Sequence, residues 1–275
     1  MFIKLNGKPY DTKASSLNGL KKEIYEINFI SPSCAEEFVW IADGFQTNEN
    51  IALSEDSSVF FIEKGAIPPK DELEAMMAAR HTPKVHEKLK KSRVAVAGLG
   101  GLGSNIAVML ARSGIGTIHL IDFDVVEPSN LNRQQYFISH LGMKKTEALK
   151  QLLSQINPYI NVITDDCRVT AENCGELFKD DEIVCEAFDR PEAKAVLAET
   201  LLSLFPEKIL VAASGMAGFG DSNLIKTEKI GKNFYLCGDR VNSAMVGRGL
   251  MAPRVTICAA HQANLVLELL CGQKN

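Results

Sequence analysis

The chain has 275 residues, of which 46% are hydrophobic and 23% are charged. This composition is typical of a globular protein with a sizeable core, and the length favours about two domains. The formal net charge is −4 and no long run of like charge occurs, which argues against nucleic acid as the main ligand. Seven cysteines include no C-x-x-C pair, so we expect neither a zinc ribbon nor a disulfide framework.

The sequence contains no segment typical of membrane insertion or secretion. The stretch MFIKLNGKPYD at the start lacks the apolar region of a secretory signal. A long uncharged run at residues 94–111 holds four glycines together with Ser104 and Asn105, which argues against a membrane span. We therefore expect a soluble, cytoplasmic protein with no membrane partner.

Residues 1–66 predict a small module of strands around one helix. FIKL is strand-like, Asn6-Gly7 favours a hairpin turn, and residues 9–12 would return antiparallel. FVWIADG and SVFFIEKG predict two further strands. Between the hairpin and these two strands, apolar residues recur at helical spacing: Leu17, Leu20, Ile24 and Ile27. This order predicts a β-grasp-like α+β domain.

Residues 67–92 predict a linker with a surface helix, because Pro68-Pro69 and Thr82-Pro83 interrupt regular structure on either side of DELEAMMAAR. From residue 93 to residue 275, strands and helices alternate. The predicted buried strands are VAVAG, TIHLID, NVITDD, EIVCEAFD and KILVAASG, and the predicted helices cover residues 104–113, 144–156, 191–204 and 255–271. The alternation predicts an α/β domain with a Rossmann-like, mostly parallel sheet flanked by helices.

A G-x-G-x-x-G motif lies between the first strand and the first helix of this second domain. Gly98 would permit the tight turn, Gly100 would let the backbone approach a phosphate, and Gly103 would let helix and strand pack closely. The helix N-terminus beyond the motif favours an anion. Asp122 ends the next strand, where a carboxylate can accept hydrogen bonds from ribose hydroxyls. These features predict nucleotide binding, although glycines serving packing alone and an aspartate serving a turn remain alternatives.

The residues after Asp122 favour ATP over NAD. Asp124 leads into a run in which Asn130 and Arg133 would share a face if the turn is helical, beyond the carboxyl end of the sheet. Lys145 lies at the start of a predicted helix, where a cation opposes the helix dipole, so a purely structural role is less favoured. A dehydrogenase would need neither cation near phosphates, whereas attack on an ATP α-phosphate requires such neutralisation.

Asp189 follows the predicted strand EIVCEAF and has two interpretations. Its carboxylate could bind Mg²⁺ on the leaving pyrophosphate. It could equally cap the following helix, because Pro191 would lie in the first turn and Glu192 three residues on completes a capping pattern. Spacing alone leaves both open.

Several motifs resemble those of the ThiF/MoeB family, bacterial relatives of ubiquitin-activating enzymes that adenylate a sulfur-carrier protein. The matching segments are GLGGLGSN, DFDVVEPSNLNRQ, GMKKTE followed by QINP, and GLMAPRV before the last helix. They cover most of residues 93–275 in the family's order. The sequence looks most like the ThiF branch, which adenylates the sulfur carrier ThiS in thiamine biosynthesis.

The resemblance implies an ATP site with assigned residues. In the loop, Gly98, Gly100, Gly101 and Gly103 would line the phosphates. Asp122 would bind the ribose with Asp124 nearby, while Asn130, Arg133 and Lys145 would contact phosphates. Asp189 would hold magnesium. The family's arginine that reaches in from a dimer partner has Arg80 as its nearest candidate, although the spacing to the glycine loop is shorter than usual.

Three departures from the family pattern alter these expectations. The paired C-x-x-C zinc ligands of many relatives are absent, so we predict no structural zinc. Arg190 stands where an asparagine commonly follows the aspartate. The crossover segment, in which relatives carry a cysteine that can bond the carrier, is short, and Cys237 in NFYLCGD is its best candidate, with an inert thiol as the alternative. Cys185 and Cys258 fall in predicted buried elements, where cysteine behaves as a small hydrophobe.

The N-terminal module resembles the sulfur carrier itself, on the segments FIKLNGKPY and ENIALSEDSSVFFIEKG. Carriers end in a free Gly-Gly carboxylate, but this chain continues through Gly65-Ala66-Ile67. We therefore hypothesise a degenerate carrier that is retained for dimer packing or for gating the site.

These observations predict an ATP- and Mg²⁺-dependent adenylyltransferase acting on a separate small sulfur carrier that ends in Gly-Gly, with a homodimer expected and no nucleic-acid partner. The alternatives are an NAD-dependent oxidoreductase, a catalytically weak scaffold protein, and a family sibling that adenylates the molybdopterin carrier or a tRNA base.

Overall fold

The computed structural model describes residues 1–81 and 85–272, and contacts divide the chain into two units, Met1–Glu87 and Lys88–Asn275. The predicted boundaries after residues 66 and 92 remain predictions. Thr82 and Pro83, which we expect to interrupt regular structure, lie outside the described residues. Within the described ranges, no helix is both long and apolar enough to cross a membrane.

The N-terminal unit is a five-stranded sheet with one long helix, which confirms the β-grasp-like α+β prediction. Its elements are β1 (Phe2–Leu5), β2 (Lys8–Asp11), α1 (Leu17–Ile27), β3 (Phe38–Ala42), β4 (Phe45–Gln46) and β5 (Ser58–Glu63), with a 3₁₀ turn at Pro32–Glu37. The strand order is β2-β1-β5-β3-β4. Strands β1 and β5 run parallel, and the other neighbours are antiparallel.

Local sequence explains how these elements begin and turn. Asn6 and Gly7 both have positive φ, at 49° and 81°, as the predicted hairpin turn requires. Ser16 caps α1 by accepting a hydrogen bond from the Gly19 N–H. The apolar face of α1 packs on the sheet, against Trp40 and Val59 among others. The unit thus has its own hydrophobic core.

Two further helices follow β5. Helix α2 (Lys70–Met77) lies within the segment predicted as a linker with a surface helix, and a turn that includes Arg80 follows it. Helix α3 (Val85–Lys91) was not predicted, because its basic residues resemble a solvated linker. The division between the two units falls within α3.

The second unit is the predicted Rossmann-like sheet flanked by helices. Its elements are β6 (Arg93–Ala97), α4 (Gly101–Ser113), β7 (Thr117–Ile121), α5 (Lys145–Ile156), β8 (Asn161–Asp165), α6 (Ala171–Phe178), β9 (Ile183–Glu186), α7 (Pro191–Leu204), β10 (Ile209–Ala213), β11 (Lys226–Lys229), β12 (Phe234–Gly238) and α8 (Ala252–Cys271). Helix α6 and strands β11 and β12 were not predicted. The segment NFYLCGD, which the sequence assigns to a crossover, forms β12.

The strand order β11-β12-β10-β9-β6-β7-β8 places a ligand crevice next to β6. All neighbours are parallel except β11 and β12. The chain proceeds from β6 through β7 to β8 on one side and through β9 to β10 on the other. Between β6 and β9 the direction of winding therefore switches, and α/β proteins bind ligands at the carboxyl ends of the strands at such a point. The glycine motif directly follows β6 at this edge.

Candidate nucleotide-binding site

The glycines after β6 have distinct structural reasons. Gly98 has a φ of 90°, and a side-chain carbon there would lie 2.9 Å from the carbonyl oxygen of Ala187. At Gly103 such a carbon would lie 1.7 Å from the Gly98 carbonyl oxygen, which agrees with the predicted close packing of helix and strand. At Gly100 the nearest atom, Nε2 of Gln134, would be 3.8 Å away. The backbone at Gly100 is therefore accessible.

Helix α4 begins at Gly101, three residues before the predicted start, so the glycine motif itself forms its first turn. The N-cap residue is Gly100, and no side chain caps the helix. The first backbone N–H groups of a helix have no partner within it and carry the positive end of the helix dipole. This end of α4 can therefore bind a phosphate.

Asp122 supports the glycine loop directly. Its Oδ2 accepts a hydrogen bond from the Leu99 N–H at 2.6 Å, and its Oδ1 accepts one from the Asp124 N–H at 2.8 Å. Tyr136, which the sequence does not single out, donates from its hydroxyl to the Leu99 carbonyl at 2.8 Å. Burial, together with the charges of Asp122 and Asp124, raises the pKa of Tyr136, so its hydroxyl remains a donor. The predicted contact of Asp122 with ribose remains a prediction.

Lys145 lies at the carboxyl edge of the sheet in an almost fully buried position. Its Nζ is 2.8 Å from Oδ2 of Asp124, and its backbone N–H donates to the Asp124 carbonyl. Because a lysine in the first turn of α5 is unfavourable for the helix dipole, this carboxylate provides the compensating charge. The structure thus joins two predicted site residues into one ion pair.

Arg133 lies beside the glycine loop. A side-chain carbon at Gly101 would be 3.4 Å from Cγ of Arg133, and the guanidinium Nη1 donates to the Ser129 carbonyl at 3.0 Å. Asn130 belongs to the same turn, since its carbonyl accepts from the Arg133 N–H. The Asn130 Oδ1 accepts from the Glu127 N–H at 3.0 Å, which gives this side chain a structural role in the turn. Its predicted phosphate contact remains a prediction.

Asp189 is exposed, one residue before the N-cap position of α7. Arg190 occupies the N-cap and makes no side-chain cap, and within the described residues the Asp189 carboxylate has no hydrogen bond or ion pair. Residues 1–81 and 85–272 contain no cluster of three or more His, Cys, Asp and Glu side chains that could hold a metal. A lone carboxylate nevertheless fits Mg²⁺, which binds through one or two carboxylates together with substrate phosphates. Magnesium binding by Asp189 remains a prediction.

A buried ion pair that the sequence does not reveal lies directly before Asp189. Glu186 ends β9, and its carboxylate accepts from Lys194 Nζ at 2.9 and 3.0 Å and from the Phe188 N–H at 2.7 Å. Burial raises the pKa of Glu186, and the Lys194 charge offsets part of that rise. The pair supports the loop whose Ala187 carbonyl packs against Gly98. In the sequence, the position of Lys194 one turn into α7 does not indicate that it pairs with Glu186.

Two predicted residues belong to other segments of the chain. Cys237 is in β12 with its side chain fully buried, and burial raises the pKa of its thiol to about 11. This environment favours the inert alternative. Burial likewise raises the pKa of Cys185, and raises that of Cys258 to about 12. Arg80 is exposed in the N-terminal unit, and its action from a dimer partner remains a prediction.

The chain is similar to known families and proteins. Residues 74–275 match the ThiF family, and residues 1–65 match the ThiS-like ubiquitin family. The chain is 33% identical over 195 residues to the adenylyltransferase and sulfurtransferase UBA4 of Candida glabrata, which covers 68% of this chain and 44% of that protein. The protein of the same name from Saccharomyces cerevisiae is 33% identical over 193 residues, with 67% and 43% covered. The chain thus spans less than half the length of these relatives.

Among solved structures, the E. coli tRNA N6-threonylcarbamoyladenosine dehydratase TcdA in complex with ATP matches with a TM-score of 0.67. The identity is 22%, and the match covers 74% of this chain and 97% of that chain, so it shows a shared fold. The family match extends over most of the sequence and includes the glycine loop. The chain therefore belongs to the ThiF family.

Proposed function

We propose that this protein is an ATP-dependent adenylyltransferase that activates the C-terminal glycine carboxylate of a small sulfur-carrier protein. One observation carries the proposal: the uncapped start of α4, the stem of Arg133 and the ion pair between the buried Lys145 and the half-exposed Asp124 all lie at the carboxyl edge of the sheet, where the glycine loop follows β6. The adenylyltransferase activity in the name of the UBA4 relatives, and the ATP in the TcdA structure, support the same activity.

In the proposed reaction, a carboxylate oxygen of the carrier attacks the α-phosphorus of ATP, the bond to the bridging β-phosphate oxygen breaks, and pyrophosphate leaves. The products are carrier acyl-adenylate and pyrophosphate. No general base is needed, because a terminal carboxylate is already ionised at pH 7. The α4 N-terminus would hold a phosphate, Arg133 and Lys145 would neutralise developing charge, and Asp122 would orient the ribose. Magnesium, held by Asp189, would add positive charge on the leaving pyrophosphate.

The finer proposal is that the carrier is of the ThiS type and serves thiamine biosynthesis, with the enzyme acting as a cytoplasmic homodimer. The ThiS-like unit at residues 1–65 supports this choice. A molybdopterin-type carrier is the alternative within the same chemistry. Two further candidates come from the similar proteins. The UBA4 relatives are named as sulfurtransferases, which favours another sulfur carrier, and TcdA is named as a tRNA dehydratase, which makes tRNA a candidate substrate.

The test is ATP–pyrophosphate exchange with separate candidate carriers that end in Gly-Gly, and with tRNA. We expect exchange to depend on a carrier, and Lys145→Ala and Asp189→Ala each to lower it by about 10²–10³-fold while the fold is retained. Lys150→Ala, an exposed lysine on the same helix α5, serves as the matched control and should exchange like the wild type. Tight NAD binding without ATP binding would refute the proposal, and full activity of Asp189→Ala would remove its magnesium role.

A further inference from the structure

The carboxamide of Gln134 is buried beside the glycine loop without a complete set of partners. Gln134 is 8% exposed, and its Oε1 has no hydrogen-bond partner among the described residues. Its Nε2 is the atom nearest to the open side of Gly100, at 3.8 Å from the position of a side-chain carbon there. The residue before it is Arg133, whose stem covers Gly101. Gln134 therefore faces the uncapped start of α4.

Three polar side chains next to Gln134 in the sequence or at the glycine loop, by contrast, have hydrogen-bond partners. The neighbouring Gln135 donates from Nε2 to Oδ1 of Asn105 at 2.6 Å. Asn105 in turn donates from Nδ2 to the carbonyl of Gly101 at 2.7 Å, and Tyr136 donates to the Leu99 carbonyl. Buried amides in native proteins are nearly always hydrogen-bonded, and an unpaired one requires a specific explanation. The unpaired Oε1 of Gln134, next to these paired groups, points to a partner outside the chain.

We propose that Gln134 is a nucleotide-binding residue, whose Nε2 donates to a phosphate oxygen of ATP at the start of α4 and whose Oε1 accepts from a hydroxyl or water that enters with the nucleotide. This inference rests on the proposed function, because it requires that ATP occupies the glycine loop. A neutral amide adds a donor beside Arg133 without adding charge, and its two ends can serve a donor and an acceptor together.

Two substitutions of nearly equal length separate the amide's roles. Gln134→Glu retains the shape but replaces the donor with a carboxylate, and Gln134→Met removes both polar ends. By isothermal titration of the full chain with Mg·ATP and with adenosine, we expect Gln134→Glu to weaken ATP binding about tenfold or more, because a hydrogen bond to a charged group is lost and a like charge is added. Adenosine affinity should remain within about twofold, since its phosphates are absent. Gln151→Glu, exposed on α5, is the control and should bind ATP like the wild type.

Thermal unfolding without nucleotide distinguishes a ligand role from a structural role. Gln134→Met removes a buried, unpaired polar atom, so its melting temperature should equal or exceed that of the wild type, while the rise on adding ATP should shrink. A lower melting temperature with an unchanged rise on adding ATP would overturn the inference. If Arg133→Ala loses ATP affinity but both Gln134 variants bind ATP normally, the inference about Gln134 fails while the proposed function stands. If the wild type binds no ATP, the proposed function fails with it.

Discussion

At the scale of single residues, Gly100 and Gly103 belong to one motif but are glycine for different reasons. At Gly103 a side-chain carbon would meet the Gly98 carbonyl oxygen at 1.7 Å, a backbone atom that cannot move aside. At Gly100 the same carbon would meet nothing closer than 3.8 Å. The first position is therefore required by the packing of α4 on β6. The second is free within the chain, and its lack of a side chain matters only for a ligand.

This difference predicts opposite outcomes for two alanine substitutions. Gly103→Ala should lower the free energy of unfolding by about 3 kcal/mol or more, because overpacking forces backbone shifts. Gly100→Ala should cost no more than about 1 kcal/mol, the usual difference between glycine and alanine at an N-cap, but should weaken ATP binding because its methyl group occupies the phosphate approach. Urea unfolding and ATP titration of both variants provide the measurements. ATP affinity of Gly100→Ala equal to that of the wild type would contradict the assignment.

The sequence reveals residues of the site that follow a local pattern, and misses those that depend on distant contacts. Gly98, Gly100 and Gly103 follow a spacing imposed by one strand–loop–helix connection, so they are visible in the sequence. The Glu186–Lys194 pair and the orphaned Gln134 become apparent only when separate segments are brought together. Hydrogen bonds across such separations leave no periodic signal, and this is the physical reason why they were not predicted.

At the scale of elements, a buried histidine links three strands of the large sheet. His119 lies in β7, with Nε2 at 2.7 Å from Oδ2 of Asp165 at the end of β8 and Nδ1 at 2.8 Å from Oδ2 of Asp181, just before β9. Asp181 is fully buried and also accepts from Nε of Arg93 in β6 at 2.7 Å. Burial alone would lower the pKa of His119, but the hydrogen bonds and charges of Asp181 and Asp165 outweigh it and raise the pKa above the usual 6.5. The protonated imidazole is thus favoured in the folded state.

This network predicts that stability depends on pH through His119. A raised pKa in the folded state stabilises fully below the unfolded value of about 6.5, and that stabilisation is lost as the pH rises through the folded-state pKa. The free energy of unfolding of the wild type should therefore contain a component that falls as the pH rises above about 6.5, and His119→Asn should lack it. Urea unfolding at several pH values measures the slope, with His261→Asn as control. Equal slopes in the wild type and His119→Asn would contradict this account.

Elements with strong apolar patterns are predictable, and those at the edges are not. The runs at β6, β7, β9 and β10 are buried on both faces, so their sequences are continuous and apolar. Strand β11, of sequence KTEK, is an exposed edge strand of the sheet. Its charged residues make the sequence look like a loop, and such charges are expected on an edge strand because they prevent pairing with other chains. Helix α6 is short and contains Gly175, which weakens any helical signal. Pairing with neighbouring strands and helices, rather than local preference, forms these elements.

At the scale of the whole molecule, a ThiS-like unit precedes a ThiF-family unit in one chain. Gly65 ends the turn after β5 with a φ of 80°, and the chain continues through Ala66 and Ile67 to α2. The carbonyl of Gly65 is therefore part of a peptide bond and offers no carboxylate to adenylate. The N-terminal unit cannot serve as the substrate in the proposed reaction, which supports the hypothesis of a degenerate carrier with another role.

Deletion of residues 1–66 tests that hypothesis. The second unit has its own core, centred on residues such as Ala95, Phe178 and Leu210, so the shortened chain should fold and bind ATP. If the ThiS-like unit supports dimer packing or gates the site, carrier-dependent pyrophosphate exchange, the dimer dissociation constant or both should change. Exchange assays and analytical ultracentrifugation of both chains at matched concentrations measure these quantities. A shortened chain with unchanged folding, turnover and association would show that the ThiS-like unit neither supports dimer packing nor gates the site.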